Sequence, residues 1–331
     1  MIPIADGGPV SPGRFNVVMT SGFLAQPAVD ILWAAGCVIH YMHSYPSAAE
    51  VAEAAGAVQA DAILTRQGPV TAMAMDASPR LRVVARHGVG VDDVDLAAAA
   101  ARGIVVTRAT GSNTVAVAEH TLAMILALAK GFRPLGLAIA EGKWREPTAS
   151  VRDIAGLRLG LLGFGGIARA SVPMAQAMGM VVSAFARRPG SVDMAGVRAA
   201  TSFGDLLGAA DVLSVHCPLN DSTRHLVDAG AMEQLPKGAF VVNTSRGGVV
   251  DEAALFAALE SGHVAGAALD VFEGEPPALE HPLRRHPRVI ATPHVSGVTD
   301  GSMINMGVMA AESIAWVLGG LAVPADRIVV G

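Results

Sequence analysis

The chain has 331 residues, of which 52% are apolar, and a formal net charge of -5. At about 150 residues per domain this length predicts two domains, and it excludes a small scaffold that needs disulfides or a metal to fold. The 24 basic and 29 acidic residues form no long run of one sign, which argues against a nucleic-acid partner. The two cysteines, Cys37 and Cys217, form no CxxC pair, a usage typical of a reducing compartment and of a protein without structural zinc.

The apolar runs do not predict a membrane protein. The best candidate, residues 115–129, is interrupted by Glu119 and His120 and falls short of the ~20 residues that a spanning helix needs. Residues 1–14 are rich in proline and glycine and lack the basic start and apolar stretch of a signal peptide. We therefore expect a cytoplasmic protein with no membrane partner.

Short runs of β-branched residues alternate with alanine-rich stretches, and this alternation predicts an α/β fold with parallel sheets. In the first third we expect strands at residues 15–19, 37–41, 61–65, 81–85 and 104–107, with helices at 24–35, 48–55 and 94–102. A long helix then begins at Asn113 or Thr114 and continues to Lys130. Its length and apolar face are typical of a crossover between domains.

A loop rich in glycine and proline at residues 142–155 leads into a second alternating series. There we expect strands at residues 159–162, 181–185, 212–215, 240–243, 267–271 and 289–291, and a final helix at 302–318. The chain contains no internal repeat.

The first strand of the second series runs directly into the glycine-rich turn Gly163-Phe-Gly-Gly-Ile-Ala168, and a helix follows. A GxGxxG pattern alone is weak, but here strand, turn, helix and next strand all stand where a dinucleotide-binding fingerprint requires them. Gly163 permits the tight turn, Gly165 lets the backbone approach a pyrophosphate, and the helix N-terminus favours the phosphates. The alternative is a flexible glycine turn between two core elements.

The fingerprint usually has an acid about 20 residues further on, which accepts hydrogen bonds from the adenosine ribose. This chain has Ala186 there, followed by Arg187 and Arg188. No carboxylate would repel a 2′-phosphate, and two guanidinium groups could pair with it, so the sequence favours NADP(H). The alternative is two solvated arginines and NAD(H) bound without the usual acid.

Polar residues stand at the ends of successive predicted strands, at the edge where doubly wound sheets bind ligands. They include Arg246, Glu275 and His294. Arg246 can hold a substrate carboxylate and polarise the neighbouring carbonyl, and His294 can give or take the proton. Glu275 can hydrogen-bond His294, fix its tautomer and stabilise its charged form. This set suits hydride transfer.

Each of these residues also has a purely structural interpretation. Arg246 could form an ion pair with Asp251 or Glu252, Glu275 could cap a turn, and His294 could be a packing residue. The histidines and carboxylates show no metal-ligand spacing, and the chain has neither a GxSxG nor a Walker motif. We therefore expect no metal.

From about residue 83 to 298 the sequence resembles the D-isomer-specific 2-hydroxyacid dehydrogenases, which include glyoxylate and hydroxypyruvate reductases and 3-phosphoglycerate dehydrogenase. Besides the glycine turn, the resemblance is carried by six segments: Arg86-His-Gly-Val-Gly-Val-Asp-Asp-Val-Asp95, Asn113-Thr-Val-Ala-Val-Ala-Glu-His120, His216-Cys-Pro-Leu219 with Thr223, Asn243-Thr-Ser-Arg-Gly-Gly-Val-Val-Asp251, Leu269-Asp-Val-Phe-Glu-Gly-Glu-Pro276 and Thr292-Pro-His-Val-Ser296.

The resemblance implies roles for single residues. The family's catalytic arginine, glutamate and histidine correspond to Arg246, Glu275 and His294. Its substrate-carboxylate amides correspond to Val89 and Gly90, and its nicotinamide carboxamide ligand corresponds to Asp270. Further cofactor contacts correspond to Gly166, Ile167, Cys217, Pro218, Thr223 and Thr244. The chain departs from the pattern at Ala186, which puts NAD preference in doubt, and at Asp93, which often is Asn.

The resemblance also implies two doubly wound, Rossmann- or flavodoxin-like domains with a cleft between them. Residues 1–110 with 298–331 would bind substrate, and residues 111–297 would bind the dinucleotide. Residues 102–111 and the neighbourhood of Gly297 would act as hinges. A homodimer formed through the cofactor domain is expected.

The sequence thus predicts an NADP(H)-preferring or dual-cofactor reductase of small 2-oxo acids, with glyoxylate and hydroxypyruvate as leading substrates. One alternative is an enzyme of the phosphoglycerate dehydrogenase type, in which Arg66 would reach an anionic group on substrate C3. An alternative of another class is a dinucleotide-sensing protein like the corepressors that share this fold.

Overall fold

The computed structural model describes residues 14–144, 151–188 and 190–331. Most of the N-terminal stretch 1–14 and residues 145–150 of the predicted loop 142–155 lie outside this range. The chain forms two compact units. The first contains Met1–Asn113 and Thr299–Gly331, and the second contains Thr114–Val298.

The first unit begins with five strands that alternate with four helices. Most of the valines in these strands are buried, where β-branched side chains pack well on the pleated surface of a sheet. Ser47 and Glu50 form a capping box at the start of the second helix. The elements are β1 (Phe15–Met19), α1 (Gln26–Ala34), β2 (Cys37–Tyr41), α2 (Ala48–Val58), β3 (Ala62–Thr65), α3 (Ala72–Ala77), β4 (Val83–Arg86), α4 (Leu96–Ala101) and β5 (Val105–Arg108).

The second unit contains the glycine turn and the remaining predicted strand ends. Its elements are α5 (Thr114–Ala129), α6 (Phe132–Ala140), β6 (Arg158–Leu162), α7 (Gly166–Ala177), β7 (Val181–Phe185), β8 (Val197–Ala199), α8 (Phe203–Gly208), β9 (Val212–Val215), α9 (Ala229–Gln234), β10 (Ala239–Asn243), α10 (Glu252–Glu260), β11 (Val264–Leu269), α11 (Pro282–Arg285) and β12 (Val289–Ala291).

The chain then returns to the first unit with α12 (Asp300–Leu318) and β13 (Ile328–Val330). The described strands of that unit form one sheet in the order β13-β5-β4-β3-β1-β2. The first five strands pair in parallel, and β13 pairs antiparallel to β5. The order of the parallel strands is that of flavodoxin-like folds, so the predicted α/β class is confirmed with one antiparallel edge strand added.

In the second unit the described strands form a parallel sheet in the order β12-β11-β10-β9-β6-β7-β8. The chain proceeds from β6 toward β8 on one side and from β9 toward β12 on the other. This order places a topological switch point between β6 and β9, where doubly wound sheets bind ligands. Apolar clusters cover both faces, and the adjacent Val241 and Val242 belong to opposite clusters, as the pleat requires.

Helix α12 is the exception to the expectation that no segment is long enough to cross a membrane. Among the described residues it passes that test by length and composition, and the bent pair α5 and α6 passes it jointly. However, 44% of the apolar stretch of α12 is buried. Ala310, Ala311 and Ile314 pack in the core beside β1, β3 and β4, which is how a core helix of an α/β unit behaves.

The predicted strands agree with the observed ones to within a few residues, the largest shift being at β11, which was expected at residues 267–271. The sequence analysis did not anticipate α6, β8 or β13. The last two have three residues each, too few to show a periodic pattern.

Candidate active site

The turn between β6 and α7 leaves space for a ligand at a helix N-terminus. Gly163 has φ of 95°, and a β-carbon there would lie 2.9 Å from the backbone of His216 and Cys217, so only glycine fits. At Gly165, a β-carbon would meet no atom of the described structure within 4 Å. The first N–H groups of α7 have no partner within the helix. This geometry fits a dinucleotide pyrophosphate.

The segment after β7 carries the residues expected to choose between cofactors. Arg187 and Arg188 directly follow Ala186 and are both exposed. Asp193, the single acid among residues 186–196, is bonded to Arg169, and that hydrogen bond lowers the pKa of the Asp193 carboxyl. The charge of Arg169 therefore compensates the ionised Asp193 carboxylate, and Arg187 and Arg188 leave the end of β7 positively charged.

The segment after β9 closes on itself beside the glycine turn. Thr223 Oγ1 donates to the Pro218 carbonyl at 2.6 Å and accepts the Asn220 N–H at 2.8 Å. Burial raises the pKa of the Cys217 thiol to about 11. The thiol is therefore protonated at neutral pH and is a packing group, not a nucleophile.

Arg246 lies three residues beyond β10, and Asn243 positions it. The Asn243 amide oxygen accepts the Ser245 N–H at 3.0 Å, and its nitrogen donates to the Arg246 carbonyl at 2.9 Å. A β-carbon on Gly247 would lie 1.9 Å from the Phe272 carbonyl carbon. The backbone at Gly247, next to Arg246, therefore lies directly against the backbone of Phe272 in the segment after β11.

His294 and Glu275 form a hydrogen-bonded pair. His294 Nδ1 lies 2.7 Å from Glu275 Oε2, and Glu275 Oε1 accepts the Phe272 N–H at 3.1 Å. The carboxylate therefore caps a turn with one oxygen and orients the histidine with the other. The His294 side chain is 48% exposed, so Nε2 can face a ligand.

The charges of the three predicted catalytic residues act on one another. Burial raises the pKa of Glu275, but several effects outweigh it and hold that pKa below its usual value. These are the hydrogen bond and charge of His294, the Phe272 N–H and the positive charge of Arg246. Glu275 is consequently ionised throughout the neutral range.

Asp270 follows β11 and organises the segment that carries His294. It is completely buried, and its carboxylate accepts Thr292 Oγ1–H at 2.6 Å and the N–H groups of Val295 and Ser296 at 2.9 Å each. Three donors leave one of the about four acceptor positions of the carboxylate unused. Sequence reasoning assigned Asp270 only to a cofactor contact, and Thr292 to none.

Asp251 and Glu252, the two acids considered above as ion-pair partners of Arg246, form other hydrogen bonds. Asp251 accepts the N–H groups of Ala253 and Ala254 and caps α10. Glu252 accepts the Glu273 N–H at 2.8 Å and lies 2.9 Å from His281. Within the described ranges no group of three or more His, Cys, Asp or Glu side chains could hold a metal ion.

The remaining predicted site residues belong to the first unit. Val89 and Gly90 are half-buried in the segment after β4. Arg66 follows β3, and its backbone N–H donates to Thr20 Oγ1 at 3.0 Å. Burial lowers the pKa of the neighbouring His87 to about 4, with a further contribution from the charge of Arg66. Arg66 thus adds positive charge to the carboxyl edge of the first sheet.

A family model described as "D-isomer specific 2-hydroxyacid dehydrogenase, NAD binding domain" matches residues 122–296. These residues lie within the second unit. The chain is 40% identical to the (S)-sulfolactate dehydrogenase of Chromohalobacter salexigens over 73% of its own length and 79% of that protein. The chain belongs to the D-isomer specific 2-hydroxyacid dehydrogenase family.

Two further proteins are similar. The D-3-phosphoglycerate dehydrogenase of Archaeoglobus fulgidus is 38% identical over 80% of this chain and 50% of that protein, so the chain spans about half the length of this relative. The crystal structure of a glyoxylate reductase from Paecilomyes thermophila has a TM-score of 0.83 and 26% identity, and the match covers 96% of this chain and 99% of that one.

Proposed function

We propose that this protein is an NADP(H)-preferring reductase of small 2-oxo acids that acts reversibly on D-2-hydroxy acids. The observation that carries the proposal is the pair His294 and Glu275, 2.7 Å apart, with Arg246 acting on the same carboxylate. All three follow strands at the carboxyl edge of a dinucleotide-type sheet, where a cofactor and a carbonyl substrate can meet.

The open space at Gly165 and the N-terminus of α7 fit a dinucleotide pyrophosphate. Gly163, Gly165, Gly166 and Ile167 would hold it, with Cys217, Pro218, Thr223 and Thr244 lining the neighbouring strand ends. Asp270 has one acceptor position left for a carboxamide. When bound, the cofactor supplies a hydride to the carbonyl carbon.

The chain's own residues supply the rest of the reaction. The amides of Val89 and Gly90 bind the substrate carboxylate together with Arg246. Arg246 also stabilises the charge that develops on the carbonyl oxygen. His294, with Nδ1 held by Glu275, gives its Nε2 proton to that oxygen during reduction and removes it during oxidation.

The end of β7 supports the choice of NADP(H). Arg187 and Arg188 are exposed where the fingerprint expects an acid, and Asp193 is paired with Arg169. A 2′-phosphate would meet positive charge with no unpaired carboxylate of that segment to repel it.

Glyoxylate and hydroxypyruvate are the proposed substrates. A substrate with a second anionic group on C3 is the alternative, and Arg66 is the observation that favours it. The names of the relatives, a phosphoglycerate and a sulfolactate dehydrogenase, agree with such a substrate. In that case Arg66→Gln would raise KM for the dianionic substrate much more than KM for glyoxylate.

The first unit would bind substrate and the second the dinucleotide, with hinges at residues 102–111 and near Gly297. We further propose a cytoplasmic homodimer. Helix α6 exposes Phe132, Leu135 and Ile139, which stand at i, i+3 and i+7 and form an apolar face suited to a second copy. Sedimentation should show a dimer for the wild type and a monomer for Leu135→Glu.

A panel of 2-oxo acids assayed with NADPH and with NADH tests the proposal. Turnover of glyoxylate or hydroxypyruvate, fastest with NADPH, is the expected result. Tight dinucleotide binding with no turnover of any acid would instead indicate a dinucleotide-sensing binding protein.

A further inference from the structure

Two consecutive residues of α5 contact the ends of strands at the edge that carries the candidate active site. His120 Nε2 lies 3.2 Å from Thr292 Oγ1, just beyond β12. Thr121 Oγ1 lies 2.9 Å from Thr244 Oγ1, just beyond β10. Helix α5 is therefore connected by side chains to two strand ends of the sheet on which it packs.

The contact through His120 continues to Asp270. The Thr292 hydroxyl lies 2.6 Å from Asp270 Oδ1. A hydroxyl has a single proton and an ionised carboxylate can only accept, so Thr292 donates to Asp270 and accepts from His120 Nε2–H. As a donor, His120 thereby supports the Thr292 hydroxyl without competing for the proton that it gives to Asp270.

Asp270 in turn fixes the backbone around His294. Its carboxylate accepts the N–H groups of Val295 and Ser296, and its carbonyl accepts the His294 N–H at 2.8 Å. His294 has φ of 53°, a left-handed conformation that a residue with a β-carbon adopts only when its surroundings hold it there. The Asp270 bonds on both sides of His294 supply that constraint.

We propose that His120 is a positioning residue, which keeps His294 in its left-handed conformation through Thr292 and Asp270. The effect of His120 on turnover rests on the proposed reductase function. Its effect on the segment 292–296 does not, because those hydrogen bonds exist without substrate.

Four variants test the kinetic part. His120→Leu removes the donor, Thr292→Val removes the hydroxyl, and Thr292→Ser keeps it. For His120→Leu we expect kcat to fall about fivefold, the loss of one modest hydrogen bond, with Kd for NADPH and KM for the oxo acid nearly unchanged. Thr292→Val also loses the bond to Asp270, so its kcat should fall at least as far. Thr292→Ser should retain the wild-type kcat. The double variant His120→Leu/Thr292→Val should be no worse than Thr292→Val, because both changes break the same contact.

Amide hydrogen exchange of residues 292–296, measured without substrate or cofactor, tests the structural part. His120→Leu and Thr292→Val should both accelerate exchange at Val295 and Ser296, because weaker bonds to Asp270 open more often. The matched control is His263→Leu, which removes a ring bonded to the Leu235 carbonyl at 2.9 Å, at the opposite end of β11. It should leave this exchange unchanged.

Unchanged exchange in His120→Leu, or additive losses of kcat in the double variant, would overturn the proposal. If the wild type reduces no 2-oxo acid, the proposed function fails, but the exchange experiment still decides the role of His120.

Discussion

Arg246 reaches the candidate site because Asn243 and Gly247, on either side, shape its backbone. If its work is on the substrate carboxylate and the developing oxyanion, Arg246→Ala should lower kcat/KM for the oxo acid at least ~100-fold and change Kd for NADPH less than about threefold. Steady-state kinetics and a cofactor titration measure the two quantities. Arg198→Ala, which removes an exposed arginine paired with Asp205, is the matched control. Loss of NADPH binding in Arg246→Ala would make Arg246 a structural or phosphate-binding residue.

Glu275 is held ionised by His294 and Arg246 despite its burial. Glu275→Gln keeps the size and one acceptor but removes the charge that compensates a protonated His294. Reduction at neutral pH should therefore slow about tenfold, more than oxidation. Profiles of kcat/KM against pH in both directions test this. Superimposable profiles would show that the pair at 2.7 Å has no part in proton transfer.

At the residue scale, the sequence predicted which candidate side chains follow strands at one sheet edge better than the contacts that orient them. Arg246, Glu275 and His294 could be found because polar residues at parallel strand ends share one edge of a sheet. The orienting roles of Asn243 and Asp270 could not be predicted, because most of the hydrogen-bond partners of their side chains are backbone groups. The positions of such groups depend on loop conformation, which side-chain types do not reveal.

Among the elements, strand β7 and the segment after it are the part that we propose sets cofactor preference. We expect kcat/KM to favour NADPH over NADH about tenfold, which one guanidinium-phosphate contact can supply at about 1.4 kcal/mol. Arg187→Gln/Arg188→Gln should abolish most of this preference and leave the NADH reaction unchanged. Arg198→Gln, on the neighbouring β8, is the control. A wild-type preference for NADH above about tenfold would contradict this assignment.

Element positions were the easier part to predict, because β-branched runs and alanine-rich stretches alternate clearly in both units. Helix α6 was missed because its residues, FRPLGLAIA, contain proline and glycine, and none of them is buried. In the described part of their own unit, the apolar residues of α6 pack on no core, so the sequence pattern does not show what they contact.

For the whole molecule, the pH dependence of stability should come most strongly from His87 and His216, one histidine in each unit. Burial lowers the pKa of His87 and of His216 to about 4, and the charge of Arg66 contributes at His87. Above the ordinary value of 6.5 both rings are neutral, folded or unfolded. Below it the unfolded chain binds protons that the folded chain does not, so the free energy of unfolding falls as pH falls toward 4.

Urea unfolding between about pH 7 and pH 5, above the main titration range of carboxylates, measures this effect. The slope should reach at most about 1.4 kcal/mol per pH unit for each histidine. His87→Gln and His216→Gln should each flatten it, whatever they do to stability at neutral pH. Slopes equal to that of the wild type in both variants would show that neither ring is held neutral.

Hydride transfer to the 2-oxo carbon can be followed with NADPH that carries deuterium at both positions of carbon 4. With hydroxypyruvate, the product should be D-glycerate with the label on carbon 2, and His294→Asn should slow label transfer at least ~100-fold. Unlabelled product, the L-isomer, or transfer at the wild-type rate without His294 would contradict the assignment of this chain as a D-2-hydroxyacid dehydrogenase that uses His294 as its acid and base.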